Sequence, residues 1–148
     1  MANTIHLISK EYLNPNKISD TIEKLGVRLA YGVGRSYNKE YDIIEINLFK
    51  ENLDKYLRVS ISCQSDFNDT FNNLYNIKKY GIMISISYEE GDLLLIPLLK
   101  ETLEEIPELL VYNEETPKGI GSYIFNKSHL LNFSGIDSYT FLSSPPKI

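Results

Sequence analysis

The sequence has little of the material that stabilises secreted scaffolds or builds metal centres. Its 148 residues include one cysteine, Cys63, two histidines and no tryptophan. A single cysteine excludes an internal disulfide, and no cluster of cysteine, histidine or aspartate has the spacing of metal ligands. We therefore predict a chain with no metal site and no cofactor.

Long apolar runs are also missing. No stretch approaches the roughly 18 consecutive apolar residues that a membrane-spanning helix needs. Near the N-terminus, Lys10 and Glu11 fall where a signal peptide requires its apolar core. We expect no membrane partner and a cytoplasmic location.

Positive charge is in deficit, with 15 Lys and Arg against 20 Asp and Glu, a net charge of −5. Nucleic-acid binding depends on clustered cations that contact phosphates, so we expect no nucleic-acid partner. The deficit is concentrated in residues 89–115, which contain nine acidic residues and one basic residue. The rest of the chain contains 14 basic and 11 acidic residues and carries a charge of +3. Such an uneven distribution favours a surface patch with a partner of opposite charge.

Catalytic signatures are absent from the sequence. Gly32 and Gly34 resemble the opening of a dinucleotide-binding loop, but Tyr37 occupies the third glycine position. No phosphate-binding loop is present, and neither histidine has a spacing that pairs it with Cys63. We predict no catalytic residues and a protein that is not an enzyme.

The length suits one domain, and 43% hydrophobic residues can fill its core. We assign residues 1–142 to a single domain and 143–148 to a frayed C-terminal tail. Asn14 and Pro15 start a first helix, whose apolar positions are Ile18, Ile22 and Leu25 and whose terminator is Gly26. Period-two spacing then predicts a strand over 27–33, followed by a linker over 34–40.

Alternating apolar residues predict three further strands, which centre on residues 44–48, 57–63 and 82–86. Ser65 caps a predicted second helix that runs to about Tyr80, and Pro97 lies in the first turn of a third helix that ends near Ile106. Short strands follow at 109–112 and 123–125, the latter before a helical turn capped by Ser128. We predict core positions at Val59, Ile61, Phe71 and Leu103. The fold class is α+β, a mostly antiparallel sheet with a central meander and two or three helices packed on one face.

The acidic stretch is the strongest candidate for a binding surface. Helical spacing puts Leu99, Leu103 and Ile106 on one side and Glu101, Glu104 and Glu105 on the other, facing water. The last two glutamates lie in the final turn, where the helix dipole favours cations, so a basic partner would relieve their repulsion. Because Tyr is enriched in interface cores, Tyr112 joins the candidate partner-binding residues. That set is Glu89, Glu90, Asp92, Glu101, Glu104, Glu105, Glu108, Tyr112, Glu114 and Glu115.

A small, acidic α+β chain with an acidic, aromatic-edged surface and no catalytic set resembles the immunity proteins of bacterial contact-dependent or polymorphic toxin systems. The resemblance implies a non-enzymatic protein that neutralises a cognate, basic toxin domain, often a nuclease. Two alternatives remain open at this stage. One is a small enzyme or ligand-binding domain with a pocket near Gly32 to Tyr41, and the other is an acidic inhibitor that mimics DNA.

Overall fold

The computed structural model describes residues 2–9, 13–50, 56–63, 82–89, 92–113, 123–135 and 141–142. Within these ranges the chain forms seven strands and three helices, so the predicted α+β class is confirmed. The second predicted helix, from Ser65 to about Tyr80, lies outside the described residues, as do Phe71 and the tail 143–148.

One antiparallel sheet contains all the described strands. In chain order they are β1 (Ala2–Ser9), β2 (Gly32–Asn38), β3 (Ile43–Phe49), β4 (Tyr56–Ser62), β5 (Ile82–Glu89), β6 (Leu110–Asn113) and β7 (Tyr123–Phe125). The strand order across the sheet is β2-β3-β4-β5-β1-β6-β7. The meander β2-β3-β4 is therefore confirmed, and β2 and β7 are the edges of the sheet that the described residues form.

The first helix, α1 (Pro15–Arg28), begins as predicted, because the Asn14 side chain accepts hydrogen bonds from the backbone N–H groups of Asn16 and Lys17. Its end was predicted wrongly. Gly26 lies inside the helix, where an added Cβ would come within 2.9 Å of both Leu48 and Val33. Gly26 thus permits close approach between α1 and the sheet.

The left-handed position that ends α1 is Ala30, with φ of 63°. The N–H of Ala30 donates to Val27 O and that of Tyr31 donates to Gly26 O, which is the pattern of a Schellman C-cap. The predicted strand over 27–33 is therefore wrong in its first half, because the helix continues to Arg28. The predicted linker over 34–40 is also wrong, because most of it is β2.

Two further helices complete the described structure. Helix α2 (Leu95–Glu105) has Pro97 in its first turn, as predicted, and Ile106 follows its last residue. Helix α3 (Lys127–Leu131) is capped by the side chain of Asn126, which accepts from the N–H of His129, and not by Ser128 as predicted. No helix among the described residues is long and apolar enough to cross a membrane.

The core lies between one face of the sheet and the helices. Helix α1 packs on β2, β3 and β4 and against α2, which contacts α3 in turn. The apolar faces of α1 and α2 share one hydrophobic cluster with the alternate residues of the strands. Val59, Ile61 and Leu103 are fully buried there, which confirms three of the four predicted core positions.

Candidate functional site

The glutamates of α2 are paired with cations of the same chain. Nη1 of Arg28 lies 3.3 Å from Oε2 of Glu101, and its Nη2 lies 3.4 Å from Oε1 of Glu105. Lys24 Nζ lies 4.0 Å from the same oxygen of Glu105, and Lys127 Nζ lies 3.3 Å from Oε2 of Glu104.

These contacts explain why acids occupy the last turn of α2. Arg28 lies in the last turn of α1, where a cation is favoured by the dipole of that helix, and from there it reaches the glutamates of α2. The repulsion expected among the three glutamates is therefore relieved within the chain. Cations interleaved with carboxylates also disfavour a DNA mimic, which requires an uninterrupted array of negative charge.

Two of the predicted partner-binding residues are buried and cannot form an exposed surface. Asp92 is 1% exposed, and its carboxylate accepts hydrogen bonds from the N–H groups of Leu94 and Leu95 at 2.7 and 3.2 Å. It orders the backbone at the start of α2, a structural role that its short side chain suits. Tyr112 is 4% exposed. We therefore remove Asp92 and Tyr112 from the candidate surface.

The remaining members of the predicted set are scattered. Glu108 is exposed after the end of α2, and Glu89 is half-buried at the end of β5. Glu90, Glu114 and Glu115 lie outside the described residues. The described part of the acidic stretch thus offers one charge-compensated helix face, with the carboxylates of Glu89 and Glu108 outside that helix.

The feature that the sequence analysis missed is the edge strand β2. It pairs with β3 through seven consecutive residue pairs, from Gly32–Phe49 to Asn38–Ile43, without a bulge. Its central residues, Gly34 to Tyr37, are exposed. A regular, exposed edge strand presents unpaired backbone groups that another strand can bind.

The other edge of the sheet is different. Strand β7 has only three residues, Tyr123–Phe125, and α3 begins two residues after it. Short edge strands are one way in which proteins limit unwanted pairing. Strand β2 is longer, with seven residues, and contains neither proline nor lysine; its one charged residue is Arg35, which faces α1.

Four aromatic side chains on the β2-β3-β4 meander are about half exposed. Their exposed fractions are 56% for Tyr37, 59% for Tyr41, 50% for Phe49 and 46% for Tyr56. Tyr37 and Tyr41 lie at the end of β2 and in the turn that follows, whereas Phe49 lies opposite Gly32 and Tyr56. We call these residues the meander aromatics. Tyr37 is on the face of the sheet that carries buried Ile44, whereas Phe49 and Tyr56 are on the opposite face, with Phe49 beside the start of β2.

Phe49 covers the start of β2. An added Cβ on Gly32 would come within 2.2 to 2.8 Å of three atoms of the Phe49 ring, so only glycine allows this ring to lie so close to the strand. By contrast, an added Cβ on Gly34 meets nothing within 4 Å. The space beside Gly34 in the middle of β2 is therefore open, whereas the Phe49 ring covers the strand at Gly32.

A groove of about 640 Å³ runs beside β2 on the side of α1. We call it the β2 groove, and its lining residues are Asn16, Arg35, Ser36, Tyr37, Asp42, Ile44 and Cys63. Its position matches the alternative predicted from the sequence, a pocket near Gly32 to Tyr41.

Arg35 connects the β2 groove to α1. Its Nη1 lies 2.6 Å from Oδ1 of Asp20 and 3.2 Å from Oε2 of Glu23. The pKa of Arg35 is raised above its ordinary value, chiefly by the hydrogen bond to Asp20. Asp20 and Glu23 thus pair with the Arg35 guanidinium beside the groove, and Lys24 lies with these two carboxylates on α1. Asp42 is the carboxylate that lines the groove itself.

Asp42 organises the other end of the groove. It adopts a left-handed conformation with φ of 53°, and its Oδ1 accepts a hydrogen bond from the Tyr37 hydroxyl at 2.6 Å. This hydrogen bond raises the pKa of Tyr37. Burial raises the pKa of the Cys63 thiol, and the neighbouring Asp42 charge adds to the effect. The thiol is therefore held in its protonated form, the reverse of what an activated nucleophile requires.

In the ranges that the structure describes, no group of three or more His, Cys, Asp or Glu side chains is placed to hold a metal ion. His6 and Cys63, considered together in the sequence, lie apart: Nδ1 of His6 is 3.1 Å from Oγ of Ser85, whereas Cys63 lines the β2 groove. No family model, curated protein sequence or solved structure matches this chain.

Proposed function

We propose that this protein is a non-enzymatic protein-binding module, and specifically an immunity protein that neutralises a cognate bacterial toxin. The proposal includes a cytoplasmic location, a basic partner and no cofactor. The observation that carries it is the exposed edge strand β2, which has the exposed rings of Tyr37 and Tyr41 near one end and that of Phe49 beside the other.

Exposed aromatic side chains support a binding role because Tyr and Phe are enriched in interface cores and depleted elsewhere on the surface. Single exposed apolar residues are ordinary, but here four aromatic residues belong to three adjacent strands and the turn between two of them. The Asp42 carboxylate in the β2 groove, where Arg35 is already paired with Asp20 and Glu23, offers a contact to a cation of a basic partner. The proposal thus moves the interface from the acidic helix α2 to the meander.

The experiment uses the product of the neighbouring reading frame, since toxins and their immunity proteins are paired. That product is expressed in a bacterial host with and without this protein, and growth is measured. We expect growth arrest by the product alone and recovery when this protein is present. A product that does not arrest growth, or arrest that this protein does not relieve, contradicts the proposal.

The surface is tested in the same assay with the double variant Tyr37→Ala/Tyr41→Ala. We expect this variant to lose protection while its melting temperature stays close to that of the wild type. Leu131→Ala is the matched control, because Leu131 is 58% exposed on α3, away from the meander. Equal protection by the double variant and the control contradicts the assignment of this surface.

A ligand-binding role is the second candidate, and the β2 groove is the observation that favours it. In this case a small molecule with a cationic group binds against Asp42. A thermal-shift screen with small amines and guanidines tests it. A ligand that raises the melting temperature of the wild type and not of Asp42→Asn supports this second role, and the absence of any such ligand contradicts it.

A further inference from the structure

We propose that β2 is the docking edge for an extended segment of the basic partner, which adds beside β2 as a further strand and inserts a Lys or Arg side chain into the β2 groove. This inference rests on the proposed function, because it presupposes a protein partner. It adds the mode of binding and the chemistry of the residue that enters the groove.

The backbone of β2 is suited to strand addition. Its seven residues pair regularly with β3, so alternate residues direct their N–H and C=O groups outward without the interruption that a bulge would cause. The short edge strand β7 does not offer this, since it has three residues. Of the two described edges, only β2 has the length to hold an added strand.

The side chains of β2 leave its edge accessible. On the face away from α1 the strand carries Gly32, Gly34 and Ser36, which are small. On the other face the long side chain of Arg35 is bound to Asp20 and Glu23 of α1. Arg35 is thus held against the helix.

The β2 groove supplies the specificity. Alternate residues of an added strand point to the same face, so one side chain of the partner enters the groove beside β2. That side chain meets the Asp42 carboxylate and the exposed Tyr37 ring, which favour a cation through charge and through the face of the ring. The Arg35 guanidinium in the same groove is already paired with Asp20 and Glu23. A Lys or Arg of the partner satisfies both contacts.

Hydrogen exchange tests the edge directly, with the product of the neighbouring reading frame as the probe. We expect the backbone amides of β2 that do not bond to β3 to exchange more slowly in the complex than in the free protein. Binding of the product with unchanged exchange in β2 overturns this inference and leaves the proposed function intact. Absence of binding overturns both. If the protection of β2 in the protein alone rises with protein concentration, the inference is overturned and the occupant of the edge is a second copy of this chain.

Proline substitution provides the variant test. Neighbouring residues of a strand direct their N–H groups to opposite sides, so Gly34→Pro and Arg35→Pro remove donors on opposite edges of β2. The variant that has lost the donor to β3 should unfold at a lower temperature, so the variant that retains the wild-type melting temperature is the one that has lost the outward donor. We expect that variant to bind the product about three- to tenfold more weakly. Arg35→Ala controls for the loss of the ion pairs. Unchanged binding by the stable proline variant contradicts strand addition.

The charge in the groove is tested by Asp42→Asn, which retains an acceptor for Tyr37 and tolerates a positive φ. We expect binding about three- to tenfold weaker than that of the wild type, with a smaller dependence on salt. Glu108→Gln is the control, because it removes one negative charge from an exposed residue outside the groove. This experiment tests the proposal even when both proline variants unfold. Equal binding by Asp42→Asn and Glu108→Gln overturns the proposed contact in the groove.

Discussion

The hydroxyl of Tyr37 donates a hydrogen bond to Oδ1 of Asp42 over 2.6 Å, and this contact joins the end of the edge strand to the turn that follows it. Asp42 is one of two described non-glycine residues with positive φ. Cys63 lies in the same groove, and its backbone N–H donates to the backbone carbonyl of Asp42. The carboxylate of Asp42 therefore affects the pKa of both the Tyr37 phenol and the Cys63 thiol.

The first prediction concerns the reactivity of Cys63. Burial and the Asp42 charge raise the pKa of its thiol, so alkylation by iodoacetamide should require a higher pH than in a short cysteine peptide. In Asp42→Asn the charge is gone, the pKa falls and the thiolate fraction at pH 8 increases, so alkylation should accelerate. Mass spectrometry of timed reactions measures both rates. An equal or slower rate in Asp42→Asn contradicts the role given to this carboxylate.

The second prediction concerns the end of α1. Ala30 occupies the left-handed position of the Schellman cap, where a Cβ is unfavourable and glycine is the usual residue. Ala30→Gly should therefore raise the free energy of unfolding by about 0.5–1 kcal/mol. Urea denaturation measures it, with Ala2→Gly as a control in a strand, where the same substitution should destabilise. A loss of stability in Ala30→Gly would show that its conformation carries no strain.

The third prediction concerns the core. Ile61 and Leu103 are fully buried on β4 and α2, so truncation of either to Ala should cost about 2–5 kcal/mol. Val27→Ala is the control on α1, where the side chain is 66% exposed, and should change stability by less than about 0.5 kcal/mol. Denaturant unfolding distinguishes the two classes. Similar values for Leu103→Ala and the control would contradict the packing of α2.

The fourth prediction reverses an expectation from the sequence. Helical spacing alone predicts that replacing two of the α2 glutamates by Lys leaves stability equal or slightly higher. The ion pairs with Arg28 predict the opposite, because Glu101→Lys/Glu105→Lys places two cations beside that guanidinium. We expect a loss of stability of about 0.5–2 kcal/mol that shrinks at high salt, and thermal denaturation at two ionic strengths measures it. Unchanged stability at low salt contradicts the pairing.

The strands that the sequence predicted correctly share one physical property. In β3 and β4 one face is buried and the other is not, so Ile44, Ile46 and Leu48 alternate with more exposed residues and period two is visible. Strand β2 lacks this pattern because its central residues are exposed and its inward position Arg35 bonds to carboxylates of α1. When a strand forms through pairing with its neighbour and its own residues do not alternate between buried and exposed, the sequence predicts a linker in its place.

Long-range contacts account for two of the other errors. Gly26 resembles a helix terminator in sequence, but its role depends on Leu48 and Val33, which only the folded chain brings near. The charges of α2 resemble an unpaired cluster, but Arg28 lies 73 residues before Glu101 in the chain. Residues 32–36 carry no sequence signal for β2, because their two glycines and one serine are typical of a loop.

The central claim is that the partner binds at the β2-β3-β4 meander and not at the acidic helix. The most direct test measures, by isothermal titration, the affinity of the neighbouring reading frame's product for two double variants, Tyr37→Ala/Tyr41→Ala and Glu101→Gln/Glu105→Gln. We predict a loss of about tenfold or more for the tyrosine variant and less than about threefold for the glutamate variant. A glutamate variant that loses more affinity than the tyrosine variant would contradict the account and return the interface to α2.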